Sequence, residues 1–276
     1  MMTRAGDSLL PDSRASDSLA PDSPKGDLPG NGWPEIVRKI RARTPARVLA
    51  GRTGAAYRTG TQLDLLQAHA AARDAVRAEL DLEKFGADFV KRWGLFEVST
   101  EAHSKDEYLL QPNLGRTFCE AARSELLRRC PPRNDLQIAI GDGLSVTAVF
   151  AQVPKLLSAL CDGAKARGWP LGQVFVIRHC RVGILNQIGE LLMPSVAVLL
   201  IGERPGLATA ESLSAYMAYR PQPQHTDADR NLISNIHDRG VGPADAAVRI
   251  LHLAAQMMNA KLSGTQLREE PSTLAE

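Results

Sequence analysis

Three short, compact, mainly apolar runs stand out in the second half of the chain, at residues 136–140, 174–177 and 196–201. Each is followed by polar or glycine-containing sequence: Gly141-Asp142-Gly143-Leu144-Ser145, Arg178-His179-Cys180-Arg181-Val182 and Gly202-Glu203-Arg204-Pro205-Gly206. Between the runs the apolar spacing turns helical, over 146–168 (with Pro154 as a point where it could break) and over 185–192. Continuous apolar runs are the mark of strands buried on both faces, and their alternation with helices predicts a parallel sheet. A fourth strand is expected at 214–219, and a closing helix at 243–262. Pro243 suits that helix's first turn, Val248, Leu251, Ala255, Met258 and Leu262 its apolar stripe, and Gly264 its end.

The first half has helical periodicity instead. Leu63, Leu66, Ala70 and Leu80 mark a helix over 61–80, on which His69 and Arg73 lie one turn apart. Leu114, Phe118, Ala122 and Leu126 recur every four residues across 112–129. The stretch 50–59 reads as a glycine-rich loop. The expected architecture is therefore α/β. A Rossmann-like, mostly parallel sheet with helices on both faces spans 131–276, and a mainly helical segment, 33–130, precedes it. Residues 1–32 differ from both: Asp7-Ser8-Leu9-Leu10-Pro11-Asp12-Ser13 is echoed by Asp17-Ser18-Leu19-Ala20-Pro21-Asp22-Ser23. This acidic, Ser/Pro-rich stretch has little to bury and reads as a disordered tail.

Composition adds exclusions. With 276 residues, 44% of them hydrophobic, the chain can bury a core without disulfides. Its 4 cysteines lack Cys-x-x-Cys spacing and read as the reduced thiols of a cytosolic protein. The longest apolar stretch, 191–202, is interrupted by Pro194 and Ser195 and falls short of the ~20 residues a bilayer span needs, so no membrane crossing is expected. Met1-Met2-Thr3-Arg4-Ala5-Gly6-Asp7 carries no signal-peptide core, so secretion is not expected either. The net charge is only +2, but 33–58 holds seven basic residues against Glu35 alone. Such a cluster suits phosphates or an acidic partner surface; with no interleaved aromatics it does not read as a nucleic-acid site.

Ligands of open parallel sheets bind beyond the carboxyl ends of the strands, which directs attention to the three loops. Gly141-Asp142-Gly143 either brings backbone amides to a ligand or forms a tight turn with Asp142 as a cap. Glu203, directly after a six-residue apolar strand, is placed at the crevice. There it can accept charge-assisted hydrogen bonds from a ligand, or be satisfied by its own turn; its neighbour Arg204 is expected to point elsewhere. Val182 offers an apolar surface or simple packing. No Gly-x-Gly-x-x-Gly, Gly-Lys-Ser/Thr or Gly-x-Ser-x-Gly motif is present, and the 6 histidines lack ligand spacing. Neither a catalytic set nor a metal site is expected. Asn235-Ile236-His237-Asp238-Arg239-Gly240 resembles the Asp-x-His-x-x-Gly pattern in which a histidine ligates the cobalt of cobalamin from below. Here Asn replaces the orienting carboxylate, and the segment follows no evident strand, so it reads as a loop.

Several segments in register resemble one family, the small (light) subunit of ethanolamine ammonia-lyase. They are Gly51-Arg52-Thr53-Gly54 with Tyr57-Arg58-Thr59, Gln67-Ala68-His69-Ala70-Ala71-Ala72-Arg73-Asp74, and Ile140-Gly141-Asp142-Gly143-Leu144-Ser145. Arg181-Val182, Gln187-Ile188-Gly189-Glu190 and Gly202-Glu203-Arg204-Pro205-Gly206-Leu207 continue the likeness. Glu211-Ser212-Leu213-Ser214, Ala228-Asp229-Arg230 and Ile233-Ser234-Asn235-Ile236-His237 complete it, over roughly residues 45 to 268. The resemblance implies an adenosylcobalamin-dependent radical lyase that turns ethanolamine into acetaldehyde and ammonia. It also implies a hetero-oligomer in which a separate large subunit, a (β/α)₈ barrel, holds the substrate and this chain covers the cofactor. It places the chain in the cytoplasm, free or inside a bacterial microcompartment. Carried over residue by residue, the cofactor contacts fall on Val182, Glu203 and Leu232, the last where some relatives have cysteine. Two other readings of the same fold are a dinucleotide-binding oxidoreductase and a non-catalytic structural adaptor.

Overall fold

The computed structural model describes residues 34–269 except Pro45, so the tail read at 1–32 lies outside the described residues. The described chain opens with helix α1 (Glu35–Ala42), a small hairpin of β1 (Arg52–Thr53) and β2 (Ala56–Tyr57), and helix α2 (Thr59–Arg77). Helix α3 (Ala87–Trp93), strand β3 (Glu97–Ser99), helix α4 (Lys105–Leu110) and helix α5 (Glu120–Arg129) follow. Then come β4 (Leu136–Gly141), α6 (Val146–Ala166), β5 (Phe175–Arg178), α7 (Leu185–Leu192) and β6 (Val196–Gly202). Strands β7 (Leu213–Tyr219) and β8 (Asn231–Ile236) and helix α8 (Pro243–Ala260) end it.

Six strands form one mixed sheet in the order β3-β5-β4-β6-β7-β8. The first four run parallel, β7 runs antiparallel to β6, and β8 antiparallel to β7. Every residue of β4 and β6 is buried, Gln137 of β4 included, as expected of strands covered on both faces. The two-residue period of a strand divides these residues between two cores. Leu136, Ile138 and Ile140 of β4 and Val196, Val198 and Leu200 of β6 pack under α6 and α8. Ala139, Ala197, Leu199 and Ile201 face the opposite way, against α5 and α7. Burial of each large aliphatic side chain contributes roughly 1.5–3 kcal/mol.

Several expectations are corrected. Helix α6 continues through Pro154 without a break, with Val149, Val153, Leu156 and Leu157 buried on either side of it. Helix α8 buries Ala247, Ile250, Leu251, Ala254 and Met257, whereas Val248, assigned to the stripe, is 46% exposed. Asp245, Arg249, His252, Gln256 and Asn259 form a polar face along this helix, and Val248 borders it while the buried stripe lies opposite. Its end comes at Ala260, where Lys261 takes the left-handed cap expected of Gly264. Helix α2 exposes Leu63 and Leu66 and turns Ala75 inward. Of 112–129 only α5 is α-helical. Leu114–Arg116 is a 3-10 turn, and the chain is then drawn to β3 by the Cys119 N–H, which donates to the Ser99 carbonyl (3.2 Å). The loop 50–59 contains the β1–β2 hairpin. Strands β3 and β8 are additions, and β3 means that the sheet begins before residue 131.

The ends of β4 and β5 are joined by one carboxylate. Asp142 is fully buried; its Oδ2 accepts the His179 N–H (2.9 Å) and its Oδ1 the Cys180 N–H (2.8 Å). Both amides reach it because His179 is left-handed, at φ 57°. Lys105 Nζ, itself buried, lies 3.6 Å from Oδ2. Burial pushes the Asp142 carboxyl up from its ordinary range, while Lys105 and the two amides pull it back. The loop is held from its other side too. Thr100 Oγ1 donates to the His179 carbonyl (3.0 Å), and Tyr108 Oη to the Cys180 carbonyl (2.8 Å). Asp142 therefore neither caps α6, whose N-cap is Ser145, nor presents itself to a ligand. The change Asp142→Asn turns one acceptor into a donor facing an N–H. It is expected to lower the unfolding free energy by about 3 kcal/mol in urea titration; an unmoved midpoint would refute the clamp.

Candidate functional site

A cavity of about 280 Å³ opens at the carboxyl ends of the parallel strands. Gly143 and Leu144 after β4, Cys180, Arg181 and Val182 after β5, and Ile201 through Arg204 at β6 supply one side of it. Ser214 and Tyr216 of β7, Leu232 and Ser234 of β8, and Tyr108 of α4 complete the lining. Backbone approach is close at Gly143, whose φ of 58° is left-handed and where a Cβ would collide with the Gly202 carbonyl. A larger cavity, about 470 Å³, lies at the opposite end of the sheet among Arg133, Met193, Ser195, Arg220 and Gln222, away from Val182, Glu203 and Leu232.

Val182, Glu203 and Leu232, from three separate stretches of sequence, line the smaller cavity together. Val182 opens a short 3-10 turn leading into α7, and Leu232 pairs with Tyr216 across β7 and β8 with 45% of its surface exposed. Arg204, expected to point away, lines the cavity as well.

Glu203 is not satisfied by its own turn, the internal route foreseen for it. Its Oε2 accepts from the Ser212 hydroxyl (2.6 Å), and its Oε1 from the Ser214 hydroxyl (2.5 Å) and the Asn235 N–H (2.9 Å). The third bond has a structural cause. Between Leu213 and Ala215 the register of β7 against β8 shifts, and Asn235 sits at φ 60°. An N–H turned out of the ladder by this bulge is thus received by Glu203. The carboxylate ties β6, β7 and β8 into one wall, using three of roughly four lone-pair positions.

His237 follows β8 directly, which corrects the expectation that no strand precedes it, while 237–242 forms the loop expected before α8. The ring is buried, its Nδ1 accepts the Arg239 N–H (3.2 Å), and its Nε2 therefore carries the proton that Asn235 Oδ1 accepts (2.8 Å). Both ring nitrogens are committed, so neither lone pair is offered to a metal. Among the described residues no group of three or more His, Cys, Asp or Glu side chains could hold a metal ion.

Reasoning from sequence missed Tyr108, Arg181 and Tyr216. Arg181 precedes Val182 at a strand end and was within reach; Tyr216 required knowing that β7 turns back beside β6. Tyr108 lies on a helix that gave no signal. The Arg181 guanidinium lies 4.3 Å from the Tyr108 ring centroid. Burial raises the Tyr108 and Tyr216 phenols, so both remain O–H donors.

A second surface feature belongs to the amino-terminal part. Helix α1 buries none of its residues, yet Ile36 and Ile40 lie one turn apart on it. Leu49 and Tyr57 within the basic stretch 33–58, and Leu63 and Leu66 on α2, are also exposed. A helix of 8 residues without packing is marginal alone in water.

Residues 34–268 match the family described as ethanolamine ammonia-lyase light chain (EutC). The chain is 38% identical over 234 residues to the ethanolamine ammonia-lyase small subunit of Clostridium perfringens, covering 85% of this chain and 78% of that one. It is likewise 38% identical to the small subunit of Clostridium acetobutylicum, over 85% of this chain and 95% of that one. To the Fusobacterium nucleatum small subunit it is 40% identical over 230 residues, 83% of this chain and 76% of that one. Matched over most of its length by the family and by these relatives, the chain belongs to the ethanolamine ammonia-lyase light-chain family.

Proposed function

We propose that this chain is the cofactor-covering small subunit of an adenosylcobalamin-dependent ethanolamine ammonia-lyase, active in complex with a large subunit that holds the substrate. One observation carries the reading. The three positions that the family resemblance assigns to the cofactor, Val182, Glu203 and Leu232, line one cavity beyond the carboxyl ends of parallel strands.

The lining fits such a cofactor chemically. Leu144, Val182, Ile201 and Leu232 give apolar surface for a flat macrocycle, and Tyr216, Ser234, Arg181 and Arg204 give donors for an amide-fringed rim. When bound, adenosylcobalamin supplies a radical by homolysis of its cobalt–carbon bond; the protein's part is to hold, orient and exclude water. A corrinoid is far larger than 280 Å³, so this chain can cover only one part of it, and the large subunit must enclose the rest. With both nitrogens of His237 committed, this chain offers no imidazole there as cobalt's lower ligand.

In this reading β6, β7 and β8 form the cofactor wall, with Glu203 bracing it. The order β5-β4-β6, with α6 and α7 as the crossovers, supports a Rossmann-like description of 131–276. The mainly helical 33–130 lends Tyr108 to the cavity and β3 to the sheet, and its basic, apolar outer surface faces the large subunit. Nothing observed favours a dinucleotide: no glycine fingerprint stands at the β4 turn, where Asp142 faces inward.

Co-expression with the large subunit is expected to give aldehyde production from ethanolamine that requires added adenosylcobalamin. Turnover by this chain alone, or by a corrinoid-free complex, would refute the proposal. Glu203→Ala removes the brace of the wall and is expected to weaken cobalamin binding by the complex by roughly 1.5–3 kcal/mol in an absorbance titration; unchanged affinity would remove Glu203 from the site. Charge reversal of Arg52 and Arg58 to Glu is expected to reduce co-purification with the large subunit, and intact assembly would exclude that face.

A further inference from the structure

Resting on the cofactor reading above, we propose that Arg181 is this chain's principal polar grip on the corrinoid. Its guanidinium donates to an acceptor oxygen of the cofactor's periphery, while Glu203 acts as a positioning residue. The carboxylate of Glu203 already receives two hydroxyls and an amide, which leaves it little capacity for a ligand. Arg181 is the reverse case. Its guanidinium carries five N–H donors, yet among the described residues it has neither an ion pair nor a hydrogen-bonded acceptor, and its Nε is buried without a partner. Asp142, the nearby carboxylate, is occupied by two amides and Lys105.

The side chain is also fixed in place. Its guanidinium lies over the Tyr108 ring, and Tyr108 is in turn anchored through its hydroxyl to the Cys180 carbonyl (2.8 Å). The Arg181 N–H donates to the Gly115 carbonyl (2.8 Å), and Gly115 leaves room for the arginine stem: a Cβ there would stand 2.7 Å from Arg181 Cγ. Much of the rotamer entropy a ligand-binding arginine loses is thus lost before the ligand arrives. Arg204, the cavity's other arginine, is exposed on the Pro205-Gly206 loop and has no comparable support. A rigid cation with unfilled donors on a cavity wall calls for an oxygen acceptor. A corrinoid offers two kinds, the amide carbonyls of its rim and the phosphate of its nucleotide loop.

The test titrates the assembled complex with hydroxocobalamin and with dicyanocobinamide, which keeps the rim amides and lacks the nucleotide loop. Bound fraction is read by equilibrium dialysis. Arg181→Ala is expected to weaken cobalamin binding about tenfold to hundredfold, with co-purification of the subunits unchanged. Arg181→Lys is expected to recover part of the loss, because lysine keeps the charge but neither the flat face nor the fork. Weakening toward both ligands assigns the acceptor to the rim amides; weakening toward cobalamin alone assigns it to the phosphate. Equal affinity of variant and wild type for both ligands overturns the proposal. Should Arg181→Ala fail to assemble, Arg181→Gln, neutral and of similar length, decides it by the same criterion. A wild-type complex that binds neither ligand overturns the cofactor reading itself, and the Arg181 assignment with it.

Discussion

A single buried carboxylate, Asp142, sets the geometry of the sheet end on which the candidate site is built. It gathers the His179 and Cys180 amides at the end of β5 and holds them beside the end of β4. Without it those two N–H groups would be buried unpaired and the Lys105 ammonium would lose its carboxylate, an arrangement costing several kcal/mol. With it, the backbone of the β5 loop is forced through a left-handed residue and delivers Cys180, Arg181 and Val182 to the cavity. Thr100 and Tyr108, from the first half of the chain, lock the outer side of the same loop. Site and fold share these bonds, so the loop is rigid for a reason that precedes any ligand.

The opposite wall follows a parallel logic. Antiparallel β7 and β8 extend the parallel sheet beyond β6, and a bulge at Asn235 leaves an amide facing out of the ladder. Glu203 takes that amide together with two serine hydroxyls. Two carboxylates one strand apart thus do the same kind of work, each converting irregular backbone into a fixed surface. Neither is arranged as an acid or base. This suits a subunit whose proposed part is to hold and shield a cofactor, with substrate recognition supplied by its partner.

Legibility from sequence tracked how strongly burial constrained each segment. Strands β4 and β6, buried on both faces, announced themselves as compact, mainly apolar runs, and α7 was bounded correctly as 185–192. Strand β8 did not, because its bulge breaks the two-residue period and three of its residues, Leu232, Ser234 and Asn235, are exposed. Strand β3, 3 residues long at the sheet's edge, carries too little pattern to register. The stripe of α8 was misassigned because Val248, counted in it, borders the polar face formed by Asp245, Arg249, His252, Gln256 and Asn259. For the site, strand ends pointed to Glu203 and Val182, and only the family resemblance reached Leu232. The roles of Asp142 and Glu203 as internal braces depend on contacts 37 and 32 residues away in sequence, which no local pattern encodes.

The most direct measurement is hydrogen–deuterium exchange on the two-subunit complex with and without adenosylcobalamin. Binding is expected to slow exchange in three separate segments, 179–184, 202–204 and 231–236, and to leave 193–195 and 220–223 at the far end of the sheet unchanged. Unaltered exchange in all three segments, or protection confined to the far end, would contradict a cofactor held where β5, β6 and β8 meet.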